Sequence, residues 1–365
     1  MSPLIHRAKE FAEQISGRHL ILSRQFPYLH AERRFLTLRL DLHNKCNLRC
    51  RMCYFALDEV WNAPLVELSD AVIERMVNEI WPLTRELWLS CASEPLTSRK
   101  LDALLPRAKQ AGIPLVQMVT NGLALNERKA HMIVEGGLDR LSVSLDGATA
   151  ETYEAIRTHS DFPKVLANIR RLQAIKAETG QQTPALIVRA VLMLTNLPEW
   201  ADIVNLAADL GAERVIMAPQ TYYTEFGRED HLWEHPETVN PALGRAREAA
   251  RRRGIPLEAP AGFGTAPMPG ESAEGPACAH CLSPWLQLVL YTNGEVTPCF
   301  QMFPKMKFGN LERQHFRQIY FGPAFRRLRE ELRTGRYGPL CRVCSAGDLN
   351  ELSDAAAVLQ RDIFA

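Results

Sequence analysis

What most constrains this chain is an alternation. Between residues 35 and 218, short β-rich runs take turns with stretches of helical periodicity. The runs fall at 35–42, 86–90, 115–120, 140–145, 185–194 and 214–218, and helical patterns occupy 69–81, 99–111, 126–135, 162–178 and 198–210. The first of these opens on Ser69, a residue type whose side chain caps helix N-termini, and its apolar residues recur at helical spacing. Gly112, Gly136, Gly180 and Gly211 stand where helix C-caps belong. Strands separated by helices and short loops lie parallel, joined by right-handed crossovers. Six such units predict an incomplete (β/α)6 barrel or an open doubly wound sheet, which share this local pattern.

The alternation ends near Pro219. Residues 255–276 are dense in Pro, Gly and Ala, a linker or loop composition. Beyond them lies a cysteine-bearing region, too short for a large core of its own and suited to a metal staple. The expected organisation is a helical extension over 1–37, the α/β barrel over 38–220, a linker with an extra helix over 221–276, a small β-hairpin and helix iron–sulfur domain over 277–350, and a tail over 351–365. Lys and Arg total 43 against 42 Asp and Glu, a net charge of +1, so no global field attracts nucleic acid or an acidic membrane. Two local basic stretches, 245–253 and 326–336, read as solvated helix faces. No apolar run approaches the roughly 18 residues a membrane span needs. The first residues lack a basic region followed by an apolar core, which predicts no signal peptide and a cytoplasmic location.

Cysteine is the informative minority. Eight of nine fall in groups: 46/50/53, 278/281/299 and 341/344. In a reducing compartment such grouping points to metal binding or catalysis rather than disulfides. The first group reads CNLRCRMC, a C-x3-C-x2-C loop after the first strand. Three thiolates can ligate three irons of a cubane and leave the fourth iron to a small chelating molecule. The competing reading is zinc held by three cysteines and the nearby His43.

That loop resembles the signature of the radical S-adenosylmethionine (SAM) enzymes. The resemblance implies a [4Fe–4S] cluster on Cys46, Cys50 and Cys53, whose open iron is chelated by SAM, and reductive cleavage of SAM to a 5′-deoxyadenosyl radical that takes hydrogen from substrate. Met52 stands where the family more often has an aromatic residue, with Tyr54 just after it. Other stretches match in order. LSCASEPL resembles the family's Gly-Gly-Glu-Pro turn and implies Ser93 and Glu94 at the SAM amino group, although Cys91-Ala92-Ser93 replaces the glycines. Asn121 sits in a Thr-Asn-Gly strand end typical of relatives. LSVSLDGATAETYEAIR implies Ser144 and Asp146 near the SAM ribose and methionine, with Arg157 at the carboxylate. Asn196 faces the same C-terminal rim, where parallel barrels place their sites.

The second group places Cys281 and Cys299 on either side of a hairpin whose turn signal is Asn293-Gly294. A helical segment over 316–333 leads on to Cys341-x2-Cys344. Four thiolates suit one closed cluster. With Pro284-Trp285, Pro298-Cys299 and FGNL, this resembles the auxiliary-cluster domains called SPASM and twitch. A four-cysteine zinc ribbon is the alternative. Cys91 and Cys278 stand outside both sets. They are the candidate catalytic thiols, against the plainer readings of a small buried residue and a loop thiol.

The resemblance implies a radical SAM oxidoreductase with two [4Fe–4S] clusters, fed by a flavodoxin- or ferredoxin-type donor. The first expectation is oxidation or modification of a small sugar- or cyclitol-like substrate. The second is peptide maturation by epimerisation or crosslinking. A non-enzymatic zinc protein is a third, from another class. Tyr222, Tyr223, His231 and Trp233 are rim candidates for contact with substrate.

Overall fold

The computed structural model describes residues 34–220, 232–264, 281–302 and 305–342. The expected helix ahead of the first strand lies outside the described residues. So do Tyr222, Tyr223, His231, Cys278 and Cys344. All six expected strands form: β1 (Leu36–Leu40), β2 (Thr84–Trp88), β3 (Leu115–Thr120), β4 (Arg140–Ser144), β5 (Ala185–Leu192) and β6 (Arg214–Pro219). Each pairs in parallel with the next.

Period-two alternation sorts their side chains. Leu36, Leu38, Leu40, Leu87, Leu141, Val143, Leu186 and Val188 are buried in one apolar core. The opposite face carries Thr37, Arg39, Glu86, Trp88, Gln117, Ser142 and Arg189, a polar set unsuited to a second layer of helices. That face is concave. The Arg189 guanidinium on β5 lies 5.6 Å from the ring centre of Trp88 on β2, although two strands separate β2 from β5. Strands three places apart in a flat sheet stand about 14 Å apart. The sheet therefore curves into a partial barrel, which resolves the two architectures left open by the alternation.

Helices α1 (Asp70–Glu79), α2 (Leu101–Gln110), α3 (Glu127–Glu135), α4 (Ala150–Ile156), α5 (Phe162–Thr179) and α6 (Trp200–Asp209) accompany these strands. Ser69, Asn126, Thr149 and Asp161 cap four of them through their side chains. Gly112, Gly180 and Gly211 adopt the left-handed conformation past their helices, but after α3 the left-handed residue is Gly137 rather than Gly136. The short α4 is absent from the periodicity reading. It carries Arg157 at its C-terminal end.

Past α7 (Pro236–Arg253) the chain differs more from expectation. The Pro- and Gly-rich stretch contributes a two-residue strand, β7 (Leu257–Glu258), that pairs with β6. The hairpin β8 (Gln287–Leu290) and β9 (Glu295–Thr297) turns at Gly294, with φ +79°. β8 runs parallel to β1, with Leu38 opposite Leu288. With β10 (Gly309–Asn310), the described strands form one sheet in the order β10-β9-β8-β1-β2-β3-β4-β5-β6-β7. The C-terminal hairpin thus extends the barrel past its first strand.

The helical segment expected over 316–333 is two helices, α8 (Phe316–Tyr320) and α9 (Pro323–Arg333). Pro323 has no N–H to continue α8, yet suits the first turn of α9. The basic stretch here is not wholly a solvated face, because Arg329 is buried. Its guanidinium donates to Pro284 O at 2.8 and 3.0 Å and to Tyr320 O at 2.9 Å, and it stacks on the Tyr320 ring at 4.1 Å. In the other basic stretch Arg251 and Arg253 are exposed and pair with Glu248 and Asp209.

Candidate functional site

The three-cysteine loop leaves β1 at the barrel's C-terminal rim and has little regular structure of its own. Its backbone is pinned by neighbours. Lys45 O accepts from Glu94 N at 3.1 Å, and Arg49 N and Arg51 N donate to Thr158 O and Ile156 O, each at 3.0 Å. Cys50 is buried, and Cys46 and Cys53 are half-buried. Asn121 Nδ2 stands 3.9 Å from Cys46 Sγ. Arg157 Nη1 stands 3.8 Å from Cys50 Sγ. Burial pushes the Cys46 thiol up to about 12 and the Cys50 thiol to about 11, Arg157 partly offsetting the latter, and burial raises Cys53 too. These thiols ionise when a cation is there to receive them.

His43 does not join them. Its Nδ1 accepts from Lys45 N at 3.1 Å, and its Nε2 meets Thr97 Oγ1 at 2.9 Å. Both ring nitrogens of the buried imidazole are occupied, so the three-cysteine, one-histidine zinc site lacks its fourth ligand. Among the described residues no three His, Cys, Asp or Glu side chains close around a single ion.

Above β2 the turn Cys91-Ala92-Ser93 is organised by Asp41, a residue the sequence did not single out. Asp41 Oδ1 accepts from the backbone N–H groups of Cys91, Ala92 and Ser93, each at 3.0 Å, and from Ser93 Oγ at 2.9 Å. One carboxylate thus curls the 91–93 turn. Glu94 follows, buried, accepting from Leu96 N at 3.1 Å, Thr120 Oγ1 at 2.6 Å and Asn121 N at 2.8 Å. A carboxylate offers about four acceptor directions, so Glu94 keeps capacity for one more donor. Desolvation raises its pKa, and these hydrogen bonds oppose the rise. The Thr120-Asn121-Gly122 turn needs its glycine: φ is +77°, and a Cβ there would meet Val165 at 3.1 Å and Val143 at 3.2 Å.

Asp146 and Arg157 are brought together. Arg157 Nη2 lies 2.7 Å from Asp146 Oδ2 with both side chains buried, and Asp146 Oδ1 accepts from Val191 N at 2.8 Å. Burial disfavours the Arg157 cation, but Asp146 and then Cys50 outweigh it and raise its pKa. Arg157 Nε, also buried, has no hydrogen-bond partner among the described residues. An unpartnered buried donor beside Cys50 suits a small anionic group. Asn196 is buried and fully engaged: Nδ2 donates to Asp146 O and Val191 O, each at 2.8 Å, while Oδ1 accepts from Met193 N at 3.0 Å and Trp200 Nε1 at 2.8 Å. It fixes the Asp146 loop rather than facing the rim. Glu199, unnoticed in the sequence, accepts from Ala148 N at 2.6 Å and Thr149 Oγ1 at 2.7 Å, holding the start of α4. Ser144 is half-buried at the end of β4, and Tyr54 is exposed and stacked on Phe55 at 4.6 Å.

In the second group Cys281 precedes a helical turn (Ser283–Leu286), Cys299 follows β9, and Cys341 lies in a turn (Pro339–Arg342). All three are half-buried against the core. Cys91 is half-buried in the turn above β2; its ionisation is opposed first by burial and then by Asp41, is favoured by Arg39 and is opposed by Cys299. Trp233, described and half-buried, packs edge-on to Phe263 at 5.0 Å.

Residues 40–207 match the family model described as the radical SAM superfamily, and 281–345 match SPASM, an iron–sulfur cluster-binding domain. The PqqA peptide cyclase of Streptomyces rochei is 29% identical over 219 residues, 58% of this chain and 55% of the cyclase. The AdoMet-dependent heme synthase of Methanosarcina barkeri is 26% identical over 336 residues, 84% of this chain and 90% of the synthase. Among solved structures, Streptococcus suis SuiB bound to precursor peptide SuiA superposes with TM-score 0.62 at 13% identity, covering 88% of this chain and 74% of SuiB. The anSMEcpe protein with bound AdoMet and a Cp18Cys peptide gives TM-score 0.60 at 15% identity, covering 90% and 95%. At such identities these structures show the shared fold.

Proposed function

We infer, for a chain that belongs to the radical SAM superfamily and carries an iron–sulfur cluster-binding domain behind its barrel, that Cys46, Cys50 and Cys53 hold a [4Fe–4S] cluster with SAM at its open iron. When bound, that cluster supplies the electron that cleaves SAM to methionine and the 5′-deoxyadenosyl radical, which takes a hydrogen atom from substrate. The observation that carries this reading is the donor set. Three buried or half-buried thiols share one loop, His43 is engaged elsewhere, and the Arg157 guanidinium, whose Nε has no partner among the described residues, lies beside Cys50.

The chain's own residues would hold SAM from three sides. Glu94, with one acceptor direction to spare, and the Asp41-curled turn at Ser93 suit its ammonium group. Arg157 suits its carboxylate, steadied by Asp146. Asn121, Ser144 and Tyr54 line the strand ends around it. Asn196 and Glu199 act as positioning residues. Cys281, Cys299 and Cys341, with Cys344 from outside the described residues, would hold the auxiliary cluster. An exposed redox partner such as flavodoxin or ferredoxin would supply electrons.

For substrate we favour a peptide. The cyclase relative named for a peptide supports it, as do neighbours of the same fold captured with peptides. The sugar- or cyclitol-like substrate expected first gains no support from these matches. A tetrapyrrole is the second reading, favoured by the longer match to a heme synthase.

Anaerobic reconstitution tests the core of this proposal. Two cubanes bring about eight irons per chain, and dithionite with SAM then yields 5′-deoxyadenosine. Stoichiometric zinc without iron, or intact SAM after reduction, overturns it. Deuterium appearing in 5′-deoxyadenosine from a labelled candidate peptide, and not from a labelled tetrapyrrole, decides between the substrates.

A further inference from the structure

The first cysteine loop meets the end of β3 through one side chain, Asn121. Its Oδ1 accepts from Leu123 N at 3.0 Å. That contact tells the oxygen end of the amide from the nitrogen end and turns Nδ2 toward the loop. Nδ2 donates to Asn47 Oδ1 at 2.7 Å and to Cys46 Sγ at 3.9 Å. An amide nitrogen carries two hydrogens, so one goes to the residue after Cys46 and the other to its sulfur. Leu48 N directs a further N–H at the same sulfur, at 3.5 Å. Asn121 is buried, and its backbone is held as well. Its N donates to Glu94 Oε2 at 2.8 Å, and its O accepts from Tyr153 Oη at 3.4 Å. Glu94 N in turn donates to Lys45 O at 3.1 Å, one residue before Cys46. Loop, turn and strand end are one hydrogen-bonded unit, which leaves the Asn121 amide little freedom to turn away.

The metal-free Cys46 thiol can return a hydrogen to Asn47 Oδ1, also at 3.9 Å. As an iron ligand the sulfur has lost that proton and only accepts. A ligating sulfur shares the charge of its cluster. N–H groups aimed at it stabilise the reduced, more negative state more than the oxidised one, and so raise the reduction potential. In a buried setting such a donor counts for more than it would in water. Both Asn121 side-chain hydrogens are committed to Asn47 and Cys46, so its tie to the cofactor runs through the sulfur.

We propose that Asn121, its amide oriented by Asn47, sets the reduction potential of the cluster on Cys46, Cys50 and Cys53 by donating to the Cys46 sulfur. This deepens the enzymatic reading above and rests on it. The step concerned is the gain of one electron from a low-potential donor; no bond forms or breaks at Asn121. The anaerobically reconstituted full-length protein is titrated with dithionite in the absence of SAM, with midpoint potentials read by electron paramagnetic resonance. The signal that changes when SAM is added to a parallel wild-type sample marks the first cluster. The other signal marks the auxiliary cluster and is the internal control. N121A should lower the first midpoint. N121D, which sets a carboxylate against the sulfur, should lower it further. N47A, which removes only the group that orients the amide, should lower it less than N121A. The auxiliary midpoint should stay at its wild-type value in all three. Should a position-121 variant take up no iron, N121S, whose hydroxyl is too short to serve both partners, replaces it with the same expected direction. An unchanged or raised first midpoint in N121A overturns the proposal, as does an equal shift of both clusters. A larger fall in N47A than in N121A overturns the assignment to Asn121. Because SAM is absent from the titration, lost SAM contact cannot produce the shift. If the wild type takes up no cluster or leaves SAM intact on reduction, the enzymatic reading fails. If it does both and the variants keep its midpoint, only this inference fails.

Discussion

Single residues decide how this rim holds its shape. Asp41 is the clearest case: one carboxylate oxygen takes three backbone N–H groups and a hydroxyl. D41N sets an amide N–H against a backbone N–H, and leaving one buried donor unsatisfied costs about 1–3 kcal/mol. A lowered melting temperature is expected, together with weaker SAM retention in equilibrium dialysis of the reconstituted protein. Arg157 makes the opposite kind of prediction. R157A strands the buried Asp146 charge, and breaking such a pair costs about 3–5 kcal/mol. The double variant R157A/D146N should lose less stability than R157A alone in urea unfolding; an equal or greater loss would contradict a buried ion pair. The three thiols of the first loop carry a pH dependence. Burial lifts Cys46 and Cys50 to about 12 and about 11, so both are protonated at neutral pH and loading must release protons. At limiting iron, incorporation should rise from pH 7 to 9. A flat profile would count against thiolate ligation. In the metal-free chain the sign is reversed. The raised thiols favour the fold below the ordinary thiol value of 9.0 and lose that contribution as pH climbs toward 11 to 12.

At the scale of elements, two joints matter. One is β8 against β1, which places the hairpin bearing Cys299 in the same sheet as the strand that leads into the first cysteine loop. The other is α9 against the turn at Ser283–Leu286, held by Arg329. R329M removes three charge-assisted donors from Pro284 O and Tyr320 O, where each such bond contributes about 1.5–3 kcal/mol. Hydrogen exchange should then quicken in β8, α8 and α9 while the amides of β3 to β5 keep their protection. Uniform loss of protection would mean that the C-terminal region does not open separately. Further ties run from α1, where Arg75 Nη1 donates to Leu311 O at 2.6 Å and Glu79 receives Phe316 N at 2.6 Å. The helical segment over 316–333 was visible as periodicity, but its break was written only in Gly322-Pro323. The burial of Arg329 was not visible at all, because a basic run looks the same whether one arginine turns inward or none does.

Across the whole molecule, the strands that lead into Cys46 and Cys299 belong to one continuous sheet. C281S/C299S should lower reconstituted iron from about eight to about four per chain, read by iron assay and electron paramagnetic resonance. Full iron retention would remove those residues from the ligand set. Much of this plan was legible. The six strands lie within about two residues of their expected positions, since buried parallel strands between capped helices leave a strong pattern. β7 and α4 were missed. A two-residue strand has no periodicity, and α4 is only about two turns long, its start held by Glu199 from a distant loop.

The sequence by itself determined the repeating α/β plan, the grouping of eight cysteines and the C-x3-C-x2-C spacing of the first loop, because local propensity and residue spacing are written in consecutive residues. Tertiary structure alone decided what those residues do together. It curved the sheet so that Arg189 reaches Trp88. It turned His43 away from the cysteines and curled the 91–93 turn around Asp41. It paired Asp146 with Arg157 and engaged Asn196 within the chain. Each of these depends on contacts between residues far apart in sequence, where hydrogen-bond geometry and burial, rather than pattern, choose the partner.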